Sequence, residues 1–432
     1  MIIFLLLFNL FYFSSSQILK YSFFTNKNNS DSNPILNLIH SELQINLEIG
    51  DPIQTIPCIL KTRKFFFLIT GSLNSDNIIK FKEKESQTFI PEGDEFSMEN
   101  QDFITAIKGS DNFKLPNNKK IRLNFLLSNK LNYIESGKIG LKLIEINPLT
   151  QEKHFIYQLK INKLLNYYSF FLEFNDEEKG NFVLGDYPHE YNSKKYNKDQ
   201  FIYIRSGKMD NLVDWIIDFD EINFGDFHFS IKKASIEYEN GLIIAPSESK
   251  NYILKTYFND SINKNICFEE TKNNITIYFC NKDNFSIKNF PNLFFVLKDS
   301  NFSFELNKDD LFLIENNKIY FKIAFQSFQN LKLESHWILG QSFLKKHLLV
   351  FDLDKKIIGF YNNKIQIGGI KNGKKLKTFF IICLFIFIIG EAIFIYYYFK
   401  RKNRRVRAYE LNEGIDYENV NNNNYNKKGL IN

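Results

Sequence analysis

The chain has 432 residues, 44% apolar and 24% charged, which excludes wholesale disorder and leaves room for two or three domains at roughly 100–200 residues each. Four cysteines in that length exclude a disulfide-dense miniprotein. The net charge of +6 sits in Lys371, Lys374, Lys375 and Lys377 and in a basic C-terminal tail, so the body is close to neutral and offers no basic face for nucleic acid.

Ile2 to Phe13 are almost all Ile, Leu and Phe, and Ser14, Ser15 and Ser16 follow. That is the apolar core and small-residue end of a secretory signal peptide, expected over 1–16. A short polar leader is expected over 17–34. From there to residue 362 the pattern is β-rich. Leu43–Ile49, Ile121–Leu127, Phe182–Leu184, Trp215–Phe219, Ile275–Phe279 and Leu348–Phe351 are short apolar or alternating runs, broken by turns rich in Asn, Asp, Gly and Lys. The spacing predicts an all-β body, a sandwich or barrel, and not alternating β and α units. The best helical faces are Asn162–Tyr168 and the stretch after Ser249.

Cys267 and Cys280 are close in sequence and predict a disulfide in an oxidising compartment, with Cys58 left unpaired in a buried strand. Asn28, Asn259, Asn274, Asn284 and Asn301 each begin an Asn-x-Ser/Thr sequon and are candidate glycan sites. After a stalk over 363–377, the apolar run Thr378–Phe399 is long enough to cross a hydrocarbon core of about 30 Å. Lys400, Arg401, Lys402, Arg404, Arg405 and Arg407 flank it on the side expected to be cytoplasmic. The tail over 400–432 reads as disordered, rich in Asn and charge. These ends predict a single-pass type I membrane protein with its body in the lumen of the secretory pathway or at the cell surface. The six histidines show no metal-ligand spacing, and no metal or cofactor is expected.

Six segments carry a family resemblance by their order and spacing: IGDPIQ at Ile49–Gln54, GKIGLK at Gly137–Lys142, YSFFL at Tyr168–Leu172, GNFVLG at Gly180–Gly185, WIIDFDEINFG at Trp215–Gly225, and WILGQSFLKKHLLVFDLDKKIIGFY at Trp337–Tyr361. Together, over residues 40 to 362, they resemble the pepsin-like aspartic proteases. The resemblance implies an all-β, two-lobed fold, with an N-terminal lobe over 35–190, a C-terminal lobe over 191–362 and a peptide cleft between them. In such a fold each lobe supplies one Asp from an Asp-Thr/Ser-Gly turn, and the two carboxylates share one proton. One then acts as base on a water while the other donates to the peptide carbonyl.

Counting from Gln54 places the first of these positions at Lys61, followed by Thr62, Arg63 and Lys64. The apolar run Leu242–Ile244 in GLIIAPSES (Gly241–Ser249) places the second at Ala245, with Ser247 beside it. Asp218 and Asp220 on the tryptophan strand read as surface acids. Phe96–Met98 and Ile104–Asp111 resemble the strands of the family's flap. Glu99 and Asn100 stand near its tip, where no tyrosine is found. A lysine facing an alanine cannot run shared-proton chemistry, and no acid partner for Lys61 is identifiable from the sequence. The expectation is a pseudoprotease that binds a peptide or protein in the cleft. The alternatives are an active aspartic endopeptidase with a non-standard site and a surface structural or adhesion glycoprotein.

Overall fold

The computed structural model describes residues 18–26, 34–72, 78–98, 104–128, 135–143, 152–208, 214–272, 274–326, 336–362, 396–398 and 400. By its contacts the chain divides into Met1–Asn363 and Lys364–Asn432. In the strand Glu42–Ile49 the residues Leu43, Ile45, Leu47 and Ile49 are buried, while the residues between them are not. That period of two is what a half-buried strand requires. Every run expected to be a strand lies in or overlaps one.

Two sheets carry the first unit. The larger has thirteen strands. It runs from Phe201–Arg205 through Ile357–Tyr361, Val350–Asp352, Ser169–Phe174, Lys179–Leu184, Leu19–Asn26, Glu42–Ile49 and Gln54–Lys61. It continues through Gly137–Gly140, Phe67–Thr70, Lys120–Ser128 and Ile104–Lys114 to Ile90–Met98. The second has twelve strands, all from the later half of the sequence, with Lys233–Ile236, Trp337–Leu339, Ile243–Ala245 and Ile323–Gln326 adjacent at its centre. Three strands from beyond residue 200 thus belong to the first sheet, which ties the two halves of the sequence together.

Two expectations change. The leader is not simply polar, because Leu19–Asn26 is a strand inserted between Lys179–Leu184 and Glu42–Ile49. Leu19, Tyr21 and Phe23 point into the core, while Lys20, Ser22 and Phe24 point out. The helix expected at Asn162–Tyr168 lies one segment earlier, at Phe155–Ile161. His154 caps its start by accepting from the Tyr157 N–H, and Lys163 takes a left-handed φ of 57° just after it, which ends the helix.

The short helix Pro34–Ile39 packs Ile35 and Ile39 against Leu242 and against Ile244 and Ile338 of the second sheet. Its approach is close enough that a Cβ on Gly241 would stand 2.2 Å from the Leu38 carbonyl oxygen. In the main core, the fully buried Trp215 packs on Phe170 and Phe351, and its indole N–H donates to the Leu141 carbonyl at 2.8 Å. Burial on this scale is worth roughly 1.5–3 kcal/mol per large side chain. The indole bond removes the polar penalty that would offset it.

Cys267 and Cys280 face one another across the strands Cys267–Lys272 and Ile275–Asn281 and form a disulfide. Cys58 is buried and free. Asn259, Asn274, Asn284 and Asn301 are all exposed, while Asn28 lies outside the described residues. Among the described residues no helix is long and apolar enough to cross a membrane. The run Ile2–Phe13, almost all of Thr378–Phe399 and the tail beyond Lys400 lie outside them.

Candidate active site

The strand Gln54–Lys61 lies parallel to Gly137–Gly140, with Lys61 opposite Gly140. On the other side of Gly137–Gly140, Phe67–Thr70 runs antiparallel, with Phe67 opposite Ile139. The second sheet repeats this arrangement. Lys233–Ile236 lies parallel to Trp337–Leu339 with Ile236 opposite Leu339, and Ile243–Ala245 runs antiparallel with Ile243 opposite Leu339. Taking Gly340 as the counterpart of Gly140, the next residue after Ile236 is the counterpart of Lys61. That residue is Glu237. It stands six positions before Ile243, as Lys61 stands six before Phe67.

The glycines confirm the register by a steric argument. A Cβ on Gly140 would lie 2.4 Å from the Lys64 carbonyl oxygen, and one on Gly340 would lie 2.4 Å from the Asn240 carbonyl oxygen. Lys64 and Asn240 are each three residues beyond their turn's first position. Both turns fold back tightly over a glycine, and no larger residue fits there.

The placement of the second position at Ala245 is therefore corrected. Ala245 ends a strand that leaves the turn, is buried, and by register is the counterpart of Ile69. An apolar run reads alike whether it enters a turn or leaves it, so Leu242–Ile244 misled the count. Ser247 opens the helix Ser247–Ile253 and is exposed. The strand that does enter the turn, Lys233–Ile236, is short and begins with a lysine, which hid it. Asp218 and Asp220 are exposed, in keeping with surface acids.

Lys61 does have acid partners. Its Nζ lies 2.5 Å from Glu42 Oε1 and 3.2 Å from Glu135 Oε1, and Glu135 also pairs with Lys138 at 2.7 Å. Both acids belong to the N-terminal half but are far away in sequence, so no local motif marks them. Opposite, Glu237 pairs with Arg63 of the first turn. Burial pushes the Glu237 carboxyl up to about 7; Arg63 opposes that rise, and the nearby Glu239 and Asp214 reinforce it. Asp214 is likewise raised by burial, against Lys142 and Arg63.

Thr62, wholly buried, ties the turns together. Its hydroxyl donates to Glu239 Oε2 at 2.6 Å and accepts from the Tyr238 N–H at 2.8 Å. Its own N–H donates to the Glu239 carboxylate at 3.1 and 3.2 Å. One turn thus presents Lys61, Arg63 and Lys64, and the other presents Glu237 and Glu239. Two facing turns of opposite charge attract each other.

Residues 46–363 match the family model described as eukaryotic aspartyl protease. The chain belongs to the eukaryotic aspartyl protease family. No curated protein matches it.

In this aspartyl protease chain, the strands Ile90–Met98 and Ile104–Lys114 form the hairpin expected for the flap, with Phe96 opposite Ala106. Glu99 and Asn100 lie outside the described residues. Asp111, near the hairpin's base, is fully buried and accepts from the hydroxyls of Ser86 at 2.8 Å and Thr88 at 2.5 Å. Its role is to anchor the hairpin. Among the described residues no group of three or more His, Cys, Asp or Glu could hold a metal ion.

Proposed function

We propose that this is a membrane-anchored aspartyl protease homologue that has given up peptide cleavage and binds a peptide or protein segment instead. The observation that carries the reading is the charge arrangement of the two turns. Shared-proton catalysis needs two carboxylates close enough that only one can ionise. Here the first position holds an ammonium neutralised by Glu42 and Glu135, and the second holds a glutamate paired with Arg63. No pair remains to hold and pass one proton between a water and a carbonyl. The apolar runs Ile2–Phe13 and Thr378–Phe399 support secretion and anchoring, and the exposed sequon asparagines of the second half support glycosylation in that pathway.

The second reading, an active endopeptidase with a non-standard site, draws on one fact. A carboxyl raised to about 7 sits where a general base could work. The two readings separate in a binding and cleavage experiment on the full-length chain, with a diverse peptide library presented from acid to neutral pH. The pseudoprotease reading expects saturable peptide binding without cleavage. Cleavage that Glu237→Gln abolishes would support the second reading. If peptides are neither bound nor cleaved, the adhesion or structural role takes its place.

A further inference from the structure

Lys322 links the strands Lys318–Phe321 and Ile323–Gln326. Its N–H donates to the Leu311 carbonyl at 2.8 Å, and its own carbonyl accepts from the Ile243 N–H at 3.0 Å. The backbone is thus held from both sides. The side chain enters no hydrogen bond or ion pair among the described residues, although burial draws its pKa down. The charges around it are Glu177 and Asp310, which favour the ammonium, and Lys345, which disfavours it.

Lys322 lines a cavity of about 440 Å³, a volume in the range of small-molecule sites. A second polar group on its wall is also unused, since the Thr25 hydroxyl is buried with no hydrogen-bond partner among the described residues. Leu38, Leu313 and Ile314 supply an apolar wall, and Ile314 is 50% exposed. An ammonium and a hydroxyl with no partner among the described residues, beside an apolar surface, are the complement of a carboxylate on a short carbon chain. The acids on the same wall limit the charge it can take. Glu177 is neutralised by Lys345 at 2.8 Å, while Glu315 would repel a second negative charge.

We propose that this cavity binds an amphipathic monocarboxylate, with its carboxylate on Lys322 and Thr25 and its chain against Leu38, Leu313 and Ile314. The carboxylate could belong to a free short-chain acid or to the C-terminus of a peptide. The cavity wall includes neither Lys61 nor Glu237, so the site stands or falls independently of the proteolysis question.

The test is calorimetric titration of the full-length chain with hexanoate, beside hexanamide as the uncharged control. Saturable hexanoate binding, weakened about tenfold or more by Lys322→Met and largely kept by Lys322→Arg, is the expected result, as for loss of one charge-assisted contact. Thr25→Val should weaken it as well, and reads the same site if Lys322→Met folds poorly. A second arm compares a short acetylated peptide bearing a free C-terminal carboxylate with its amide. Preference for the free acid over both hexanoate and the amide would support the site and identify its source as peptide. Failure of hexanoate and the free-acid peptide to bind, equal binding of hexanamide, or indifference to both substitutions would overturn the proposal.

Discussion

Replacing Glu237 with Gln should make the protein more tolerant of alkaline pH, and the size of the effect follows from its surroundings. The Glu237 carboxyl has an ordinary value of 4.5 and is pushed to about 7 in the folded chain by burial, with Arg63 only partly compensating. A carboxyl raised on folding holds its proton more tightly in the native state than in the unfolded one. Stability therefore falls as pH climbs through the window from about 4.5 to 7 and levels off above it. The linkage amounts to about 3 kcal/mol between the two ends of that window.

Gln keeps the shape and an oxygen that can accept from Arg63, and it does not ionise. Arg63 is 54% exposed and stays solvated, so removing the charge leaves no buried cation behind. The assay is urea unfolding of wild type and Glu237→Gln across this pH range, followed by the emission of the two buried tryptophans, Trp215 and Trp337. Taking the difference between the two proteins cancels every titrating group that does not interact with Glu237, which leaves Glu237 itself and its neighbours Glu239 and Asp214. The variant should gain on the wild type by about 3 kcal/mol from the acid to the alkaline end. A difference that stays flat with pH, or that shrinks toward alkaline pH, would refute the burial argument.

Three other substitutions probe the same architecture. Thr62→Val removes the hydroxyl that joins the turns and leaves Glu239 and the Tyr238 N–H short of partners; a loss of roughly 2–3 kcal/mol is expected in denaturant titration, with Thr62→Ser recovering most of it. Gly340→Ala would force a Cβ to within 2.1 Å of the Leu242 carbonyl oxygen, so little folded protein should accumulate, as seen by size-exclusion yield; near-normal yield and stability would contradict the tight turn. Replacing Cys267 and Cys280 together with Ser should cost about 3 kcal/mol in the chain-entropy picture, and the wild type should show the same loss on reduction.

Much of this fold was legible where the sequence repeats a physical period. Leu43, Ile45, Leu47 and Ile49 alternate, and the run Trp337–Tyr361 keeps the glycine that its turn requires. The cysteine pair, close in sequence, was legible for a different reason, since both partners face each other across one hairpin. The site was only half legible. Lys61 follows from its fixed distance to Gln54 along one strand, but its partners Glu42 and Glu135 come from other elements that nothing in the local pattern marks. Glu237 was missed because Lys233–Ile236 offers little apolar signal, whereas the stronger run Leu242–Ile244 beyond the turn drew the count. Only the pairing of Ile236 with Leu339, beside that of Lys61 with Gly140, identifies which strand enters the turn. The leader strand Leu19–Asn26 was hidden in the same way, its alternation too short to stand out beside polar neighbours.

On the proposed reading, Lys61 and Glu237 do not act together as a proton-sharing pair. The most direct measurement is peptide cleavage by purified full-length chain from acid to neutral pH, run beside Glu237→Gln and an active member of the family. No cleavage by either form, where the active member cuts readily, is the result expected here. Turnover by the wild type that disappears in Glu237→Gln would contradict the claim and make Glu237 the base of a working site.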